Sequence, residues 1–437
     1  MVNFTRRQVL AGGAAAVAST AMTPSAFGQV PRDQKIRLAS IFPARTGLST
    51  VRTSINDYPG EAARMGVQLA EALIGEQAEK AGYPFEILHA NAPVGAAAGR
   101  AAQRLVETGR VAAFIGGVGD GHAEAIGPIA EAAGIPFFNI GNSTDALRRT
   151  CGRFTFHVEA SAAMYLDVMA QWAESQKLRR YFVVYEDTEG GRALHTRMVK
   201  ALQRHAPGGQ VVASAAVKQE QAVYYNEFNL AERENVDLIL LLIGSVDQIA
   251  FLAQEENSGL EIPSLVYPDL IGQTRDYIAT ARSLAPVNNP RTRVALWEAS
   301  LETNNAGEYN QRFGARFSEV PDPTSWAAYA TTRMVLQAVQ ATGTTDGRAL
   351  VDYFENPAST FDIAKGPGVS FRRWDHQLRQ PLYLVNIDQE VEWVRTDFST
   401  WVALGTVAAE VPGGPAANAV ERLDRIGDAA ADATCRW

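Results

Sequence analysis

The stretch that decides the fold of this chain is Val111-Ala112-Ala113-Phe114-Ile115-Gly116-Gly117. Its short apolar run is typical of a strand that is buried on both faces, and it ends at two glycines. A helical pattern follows over residues 122–133 and stops at Gly134, and residues 136–140 form the next predicted strand. Strand, helix and strand in this order predict a parallel sheet that is covered by helices on both faces.

The same alternation extends in both directions from this stretch. Upstream, the pattern predicts a strand over 36–42, a helix over 61–74, a strand over 85–88 and a helix over 96–107. After Arg153 the alternation restarts, with predicted strands over 180–185, 211–213, 237–243 and 264–267 and a helix between each pair. Two successive α/β modules of about 130 residues each follow from this pattern.

The last third of the chain has a different pattern. Beyond Trp297 the sequence predicts helices over 308–317, 325–342 and 347–355, and then a hairpin-like pair of strands over 370–374 and 382–387. Residues 405–437 are rich in Ala, Gly and Pro and are predicted to be an irregular tail with one helical piece near 418–426.

The N-terminal residues have the order of an export signal. Arg6-Arg7 precede a weakly apolar stretch over 10–21, and Ala26-Phe27-Gly28 supplies the small residues that a signal peptidase recognises. We therefore expect residues 1–28 to be a twin-arginine signal peptide and the mature protein to work in the periplasm. The alternative is a disordered N-terminus with an incidental arginine pair.

Composition narrows the class of partner. The 437 residues are 46% hydrophobic and 20% charged, which is ordinary for a soluble globular protein, and the formal net charge is −8. A negative charge argues against nucleic acid and against an anionic membrane surface as partners. The two cysteines, Cys151 and Cys435, predict a disulfide in an exported protein, and two free buried thiols are the alternative.

The motifs of common enzymes are missing from the sequence. Gly117-Val118-Gly119 does not continue as a dinucleotide fingerprint, because His122 stands where the last glycine is required. There is no GxxxxGK, no GxSxG and no HExxH, and the six histidines are scattered. We expect no catalytic residue, no cofactor and no bound metal; an exported α/β hydrolase is kept as the less favoured alternative.

Four segments in a characteristic order resemble one family. They are Ile115-Gly116-Gly117, residues 134–144, Val184-Tyr185-Glu186-Asp187 with Gly190-Gly191, and the run 371–381 around Trp374-Asp375. The chain resembles the type I periplasmic binding proteins, in particular the leucine/isoleucine/valine-binding branch that serves ABC transporters. The run 371–381 is also similar to binding proteins found beside PQQ-dependent alcohol dehydrogenase systems. The resemblance covers residues 35–388.

This resemblance implies an α/β fold of two doubly wound parallel-sheet lobes joined by a three-crossing hinge. The crossings fall near His157, Trp297 and Pro367. Lobe one comprises 36–157 plus 298–366, lobe two 158–297 plus 368–400, and 401–437 is the C-terminal tail.

It also implies a function. A monomeric solute-binding protein would bind a small polar ligand (a branched-chain amino acid, an amide or a related metabolite) in the cleft between the lobes. It would then deliver that ligand to an ABC transporter permease in the inner membrane. The alternative is a ligand sensor or accessory protein of a periplasmic alcohol-oxidation system.

Ten residues are candidates for ligand binding by resemblance and position. They lie in loops after predicted strands and are Asp120, Gly121, His122, Gly141, Asn142, Ser143, Thr144, Tyr185, Glu189 and Asp269. The glycines of 117–122 let backbone N–H groups approach an anion at a helix N-terminus, and Ser143 and Thr144 can donate hydroxyl hydrogen bonds. By resemblance these loops hold a carboxylate. The side chains of Tyr185, Tyr267 and His122 are expected to supply apolar walls with polar tips.

Two acidic residues among these candidates have two interpretations each. Asp120 stands where the family has a small hydroxyl residue, and its charge would repel a carboxylate. It either caps the following helix or binds a donor-rich or cationic ligand. Asp269 aligns with the family's ammonium-binding acid, but an Asp after Pro268 is also typical of a turn. Glu186 and Asp187 are further candidates, and an aromatic contact is expected somewhere in 42–58.

Overall fold

The computed structural model describes residues 35–43, 58–394 and 397–435, which form two parallel sheets, a three-stranded antiparallel sheet and a two-stranded antiparallel pair. The predicted export signal and most of the segment expected to hold the first-lobe aromatic residue lie outside the described residues. Within the described ranges, no helix combines the length and the apolar character that a membrane crossing requires.

The first sheet belongs to lobe one and is parallel throughout. Its strand order is β2-β1-β3-β4-β5. The strands are β1 (Ile36–Phe42), β2 (Phe85–Asn91), β3 (Ala113–Gly116), β4 (Phe137–Asn139) and β5 (Thr155–His157).

Helices cover both faces of this sheet. The first four follow the strands in turn and are α1 (Tyr58–Lys80), α2 (Gly95–Thr108), α3 (His122–Ala133) and α4 (Asp145–Arg148). On β3, Phe114 belongs to the core under α2 and α3, whereas Ile115 belongs to the core under α1. Because successive side chains point to opposite faces of a strand, the apolar run of residues 111–115 fills both cores.

The second sheet belongs to lobe two and is also parallel, in the order β7-β6-β8-β9. Its strands are β6 (Arg180–Glu186), β7 (Gln210–Val217), β8 (Leu238–Leu242) and β9 (Ser264–Val266). The helices around it are α5 (Ala162–Ser175), α6 (Glu189–His205), α7 (Tyr225–Arg233), α8 (Ser245–Ser258) and α9 (Arg275–Leu284). The α/β architecture of two parallel-sheet lobes is therefore confirmed.

The remaining elements complete both lobes. Lobe one receives α10 (Ala306–Phe317), α11 (Pro323–Thr342) and α12 (Gly347–Glu355). A small antiparallel pair, β11 (Ser370–Phe371) with β12 (Leu378–Arg379), precedes β13 (Leu382–Ile387), which pairs with β10 (Thr292–Ala295). After the short helix α13 (Phe398–Ala403), β14 (Gly405–Val411) pairs with the other edge of β13, and α14 (Ala419–Leu423) follows.

Two expectations about the last third of the chain are wrong. The strand near residue 370 does not pair with residues 382–387, because the chain turns back earlier and β11 pairs with β12. The stretch expected to be an irregular tail contains the seven-residue strand β14, which supplies the third strand of an antiparallel sheet. The predicted disulfide is present and joins Cys151 in lobe one to Cys435 near the C-terminus.

A buried lysine and two stacked tryptophans lie at the crossings between the lobes. The rings of Trp297 and Trp326 are stacked, with centroids 5.2 Å apart. The Lys365 ammonium lies 4.5 Å from the Trp326 ring and 4.8 Å from the Tyr383 ring of β13, and it donates a hydrogen bond of 2.9 Å to the Pro381 carbonyl oxygen. Burial lowers the pKa of Lys365 well below its ordinary value. The exact lobe boundaries stay a prediction.

Candidate functional site

The strand order places the candidate site at the carboxyl ends of four strands. In each sheet the order reverses beside the first strand, between β1 and β3 in lobe one and between β6 and β8 in lobe two. Open α/β sheets bind ligands outside the strand ends at this point. We call the described loops after β3, β4, β6, β8 and β9 the candidate cleft; they comprise residues 117–124 and 141–145 of lobe one and 186–189, 243–245 and 267–272 of lobe two.

The two lobes touch each other within the candidate cleft. The Ser143 hydroxyl of lobe one lies 2.9 Å from the Tyr267 hydroxyl of lobe two, at hydrogen-bond distance. A Cβ atom added at Gly141 would lie 3.2 Å from Cδ1 of Leu270 in lobe two, which is closer than an ordinary van der Waals contact. The structure thus brings together the predicted residues Gly141 and Ser143 with the loop that carries Asp269.

Three glycines shape the lobe-one loop before α3. Gly117, Gly119 and Gly121 have φ values of +84°, +108° and +68°, a region that other residues adopt only with strain. Gly121 is the N-cap residue of α3, and as a glycine it has no side chain that could accept a hydrogen bond from the first turn. Asp120 precedes this N-cap residue and is exposed, so its side chain is not in the N-cap position, and its contact with a ligand stays a prediction.

His122 is a buried polar side chain at the start of α3. It is 1% exposed, and neither ring nitrogen has a hydrogen-bond partner within the described ranges. Burial lowers the pKa of His122, although the charges of Asp120 and Glu124 oppose that shift. The ring is therefore neutral at pH 7 and offers one donor and one acceptor. A buried group of this kind usually has a partner.

The loop after β4 is held by its own side chains. Asn139 Oδ1 accepts the Asn142 amide at 2.8 Å. Asn142 Nδ2 donates to Glu124 Oε1 at 2.8 Å, and Asn142 Oδ1 accepts both the amide and the hydroxyl of Thr144. Asn142 and Thr144 therefore shape the loop that presents Ser143. The sequence did not predict a role for Asn139 or Glu124, because their hydrogen-bond partners are brought close only by the folded loop.

Asp269 organises the loop after β9. Its Oδ1 accepts the amides of Ile271 and Gly272, at 3.0 and 2.6 Å, and the Ser245 hydroxyl; its Oδ2 accepts the Ser245 amide at 3.0 Å. Burial raises the pKa of Asp269, while these hydrogen bonds oppose the shift. This is the bonding of a turn residue. Among the described residues Oδ2 has one donor, so it has capacity for another.

The lobe-two residues after β6 differ in their surroundings. Glu186 Oε1 accepts the Gly244 amide at 2.9 Å, which ties the end of β6 to the start of α8. Tyr185 packs against His195 of α6, with ring centroids 4.5 Å apart, so its ring faces α6. Glu189 is exposed in the first turn of α6, and Asp187 pairs with Arg192 at 2.6 Å on the surface. Of these, Glu186 is the residue that shapes the candidate cleft.

A buried carboxyl lies at the first crossing between the lobes. Glu159 is 1% exposed, its Oε1 accepts the Tyr165 hydroxyl at 2.5 Å, and its Oε2 has no partner within the described residues. Burial raises the pKa of Glu159 to about 7, although the Tyr165 hydroxyl and the charges of Arg148 and Lys365 oppose the shift. Tyr165 in turn packs edge-on against Tyr267, with centroids 6.1 Å apart. Sequence analysis did not single out this residue.

One arrangement outside the candidate cleft resembles a hydrolase triad. The Ser40 hydroxyl lies 2.7 Å from His89 Nδ1, and His89 Nε2 lies 3.7 Å from Glu71 Oε2. Ser40 is in the middle of β1 and 1% exposed, so a substrate has no access to its hydroxyl. The arrangement is a cross-strand contact under α1. Within the described ranges, no cluster of three or more His, Cys, Asp or Glu side chains could hold a metal ion.

Comparison with protein families identifies the class. A family model described as periplasmic binding protein matches residues 43–392, which is well over half of the chain. The chain belongs to the periplasmic binding protein family, whose members bind solutes in the periplasm. No curated protein matches the sequence.

Solved structures agree with this fold. A branched-chain amino acid ABC transporter periplasmic ligand-binding protein from Burkholderia xenovorans LB400 has a TM-score of 0.73 and 19% sequence identity, over 86% of this chain and 95% of that one. An amino acid ABC transporter substrate-binding protein from Pseudomonas fluorescens Pf-5 also has a TM-score of 0.73, at 18% identity, over 92% and 99% of the two chains. A solute-binding protein from R. palustris in complex with 4-hydroxybenzoate has a TM-score of 0.66 and 16% identity, over 81% and 93%.

Proposed function

We propose that this protein is the extracytoplasmic solute-binding component of an ABC transporter. It binds a small polar ligand, such as a branched-chain amino acid, an amide or a related metabolite, between its lobes. It then delivers the ligand to an inner-membrane permease. The observation that carries the proposal is the contact between Ser143 and Tyr267, because it joins the strand-end loops of two separate parallel sheets at the place where such sheets bind ligands.

Closure of the lobes around the ligand is the mechanism. Ligand contacts that form only in the closed state shift the population of molecules from the open to the closed state when ligand is present. Family membership supports a small organic ligand, as do the similar structures of a branched-chain amino acid transporter's binding protein and of a binding protein in complex with 4-hydroxybenzoate. Export by the twin-arginine pathway and a monomeric state are part of this proposal.

The polar groups of the candidate cleft suggest how such a ligand binds. The Ser143 hydroxyl and the N-terminus of α3, whose N-cap residue is a glycine, suit a carboxylate or a carbonyl oxygen, and neutral His122 supplies one donor and one acceptor. On the other side, Asp269 Oδ2 has capacity for one N–H donor. The exposed carboxylate of Asp120, close to the α3 N-terminus, favours an amide or ammonium over an isolated carboxylate.

Isothermal titration calorimetry with leucine, isoleucine, valine, their amides and 4-hydroxybenzoate tests this proposal, and Asp120→Asn makes the test directional. We expect one class of these solutes to bind. If the bound group near α3 is an amide or ammonium, Asp120→Asn weakens binding by about fivefold or more; if it is a carboxylate, the same change tightens binding, because a like charge is removed.

Asp432→Asn is the matched control, because it removes an exposed carboxylate in the C-terminal tail. It should leave the affinity unchanged. Absence of binding by every member of the panel, together with turnover of an ester or amide substrate, would favour the hydrolase alternative. For a bound solute, loss of its uptake in a host that lacks this protein would support delivery to a permease, whereas unchanged uptake would favour the sensor alternative.

A further inference from the structure

We propose that residues 419–435, which we call the strap, tether lobe one to lobe two across the hinge and limit how far the candidate cleft opens. The inference rests on the proposed function in one respect, namely that the lobes move about their crossings. It concerns the last part of the chain, which lies beyond the family match at residues 43–392.

The strap first anchors on the strands at the hinge. Arg372, which is fully buried, donates hydrogen bonds to the carbonyl oxygens of Leu423 and Ile426, at 3.3 and 2.6 Å. Its guanidinium and that of Arg379 both contact Asp424, at 3.1 and 2.8 Å. Because two buried cations share one strap carboxylate, this part of the strap is fixed to the β11–β12 pair.

The strap next anchors on two helices of lobe two. The Gly427 amide donates to Asp167 Oδ2 of α5 at 2.8 Å. Arg204 of α6 donates to the carbonyl oxygens of Arg425 and Gly427, at 3.3 and 3.2 Å. These bonds fix residues 425–427 to lobe two independently of the hinge strands.

The far end of the strap is covalently attached to lobe one. Cys435 forms the disulfide with Cys151, which lies between α4 and β5 of the first sheet. The chain therefore runs from lobe two, over the hinge, to a covalent bond in lobe one. A covalent bond persists whether or not a ligand occupies the cleft, whereas a hydrogen bond between the lobes can break when they separate.

One arginine of lobe two contacts both lobe one and the strap. Arg197 of α6, in lobe two, contacts Asp145 of α4 in lobe one at 2.7 Å and Asp428 of the strap at 3.0 Å. Its side chain is 19% exposed, so these charge-assisted bonds are partly shielded from water. Opening of the lobes moves α4 away from α6, and the Arg197–Asp145 pair must then break.

The length of the strap sets the largest separation that the two lobes can reach. Seven peptide steps separate Asp428, which is held on α6, from Cys435. A fully extended chain of this length spans about 25 Å at most. Beyond that separation, opening requires release of the anchors at 424–428 as well. An oxidised strap therefore confines the lobes to a narrower range of opening than a free tail would allow, and favours the closed state.

Small-angle X-ray scattering of the ligand-free full-length protein tests the strap directly. Cys151→Ser together with Cys435→Ser releases the covalent end, and we expect a larger radius of gyration than in the unmodified protein. Asp428→Asn keeps the disulfide but weakens the anchor on Arg197, and we expect a smaller increase. Asp432→Asn, a neighbouring exposed strap carboxylate, is the matched control and should give the unmodified curve.

The outcomes separate the strap from the proposed function, because scattering needs no ligand. If the cysteine variant and Asp428→Asn both scatter like Asp432→Asn, the strap proposal is overturned. If the cysteine variant fails to fold, judged by circular dichroism, the comparison of Asp428→Asn with Asp432→Asn decides alone. If the variants open but no solute binds, the strap stands and the proposed function fails. Where a solute from the calorimetry panel binds, the cysteine variant should bind it about fivefold or more weakly, since the closed state loses support.

Discussion

Glu159 shows what a single buried carboxyl does at the crossing between the lobes. Burial raises its pKa to about 7, well above the value of about 4.3 expected in the unfolded chain. A folded-state pKa above the unfolded one means that the neutral form favours folding. The resulting stability is complete below about pH 4 and is lost as the pH rises through 7.

Glu159→Gln replaces the carboxyl with an amide that cannot ionise. The unmodified protein must ionise a buried group as the pH rises, and the variant must not. We therefore expect the free energy of unfolding of the variant minus that of the unmodified protein to be a few kcal/mol larger at pH 8 than at pH 5. Urea unfolding at the two pH values measures this change. Glu232→Gln, at an exposed position of α7, is the control and should show no such dependence. An identical difference at both pH values for Glu159→Gln would contradict the assignment.

At the scale of residues, the sequence located the loops of the site better than the roles of their side chains. The stretch 117–124 and the run 141–144 follow strand ends, and that position is readable from hydrophobic pattern and glycine spacing. The partners are not readable, because Asn142 bonds Glu124 across eighteen residues and Asp269 bonds Ser245 across twenty-four. Tyr185 was placed in the site by its segment, but its ring faces α6.

At the scale of elements, the contact between α1 and α11 depends on glycines. A side chain at Gly66 of α1 would overlap the backbone carbonyl of Ser325 at the start of α11, whereas nothing lies within 4 Å of the same position at Gly75 in the same helix. Gly66 is buried and Gly75 is half-buried. Close packing against α11 therefore requires a glycine at position 66, whereas the structure shows no contact that requires one at position 75.

Gly66→Ala and Gly75→Ala form a matched pair within one helix. We expect Gly66→Ala to destabilise the protein by about 1–3 kcal/mol, because a rigid carbonyl must shift, and Gly75→Ala to be neutral or stabilising by up to about 1 kcal/mol, because alanine favours the helix. Thermal unfolding followed by circular dichroism measures both. Equal effects of the two substitutions would show that the close approach of α1 to α11 is not present in solution.

Elements with strong local patterns were predicted well, and elements defined by distant partners were not. The strand over 36–42 is apolar enough to be recognised alone, and its bounds agree with the structure. The partner of β13 could not be inferred, because β10 lies about ninety residues upstream and no local turn links them. The strand β14 alternates only weakly between buried and exposed positions, so its alanine-rich sequence resembled a loop.

At the scale of the whole molecule, the two lobes and the strap are joined by apolar packing, by hydrogen bonds and by a disulfide. A core that includes Phe138 of lobe one and Leu240 of lobe two continues through the crossings, so the lobes share apolar packing at the hinge. The strand-end loops meet at Ser143 and Tyr267 on one side, and the disulfide closes the chain on the other. Under the strap proposal, we expect motion of one lobe relative to the other to be confined to rotation about the predicted crossings.

Pulsed electron paramagnetic resonance between spin labels on Val94→Cys and Val246→Cys tests the central claim most directly. These exposed residues lie in lobe one and lobe two, after β2 and in the first turn of α8, and the two native cysteines are joined to each other. The distance is measured without solute and with leucine, isoleucine, valine, their amides or 4-hydroxybenzoate at saturating concentration. We expect a shorter and narrower distance distribution with a bound solute. Calorimetric binding of a solute that leaves this distribution unchanged would contradict closure of the lobes around it.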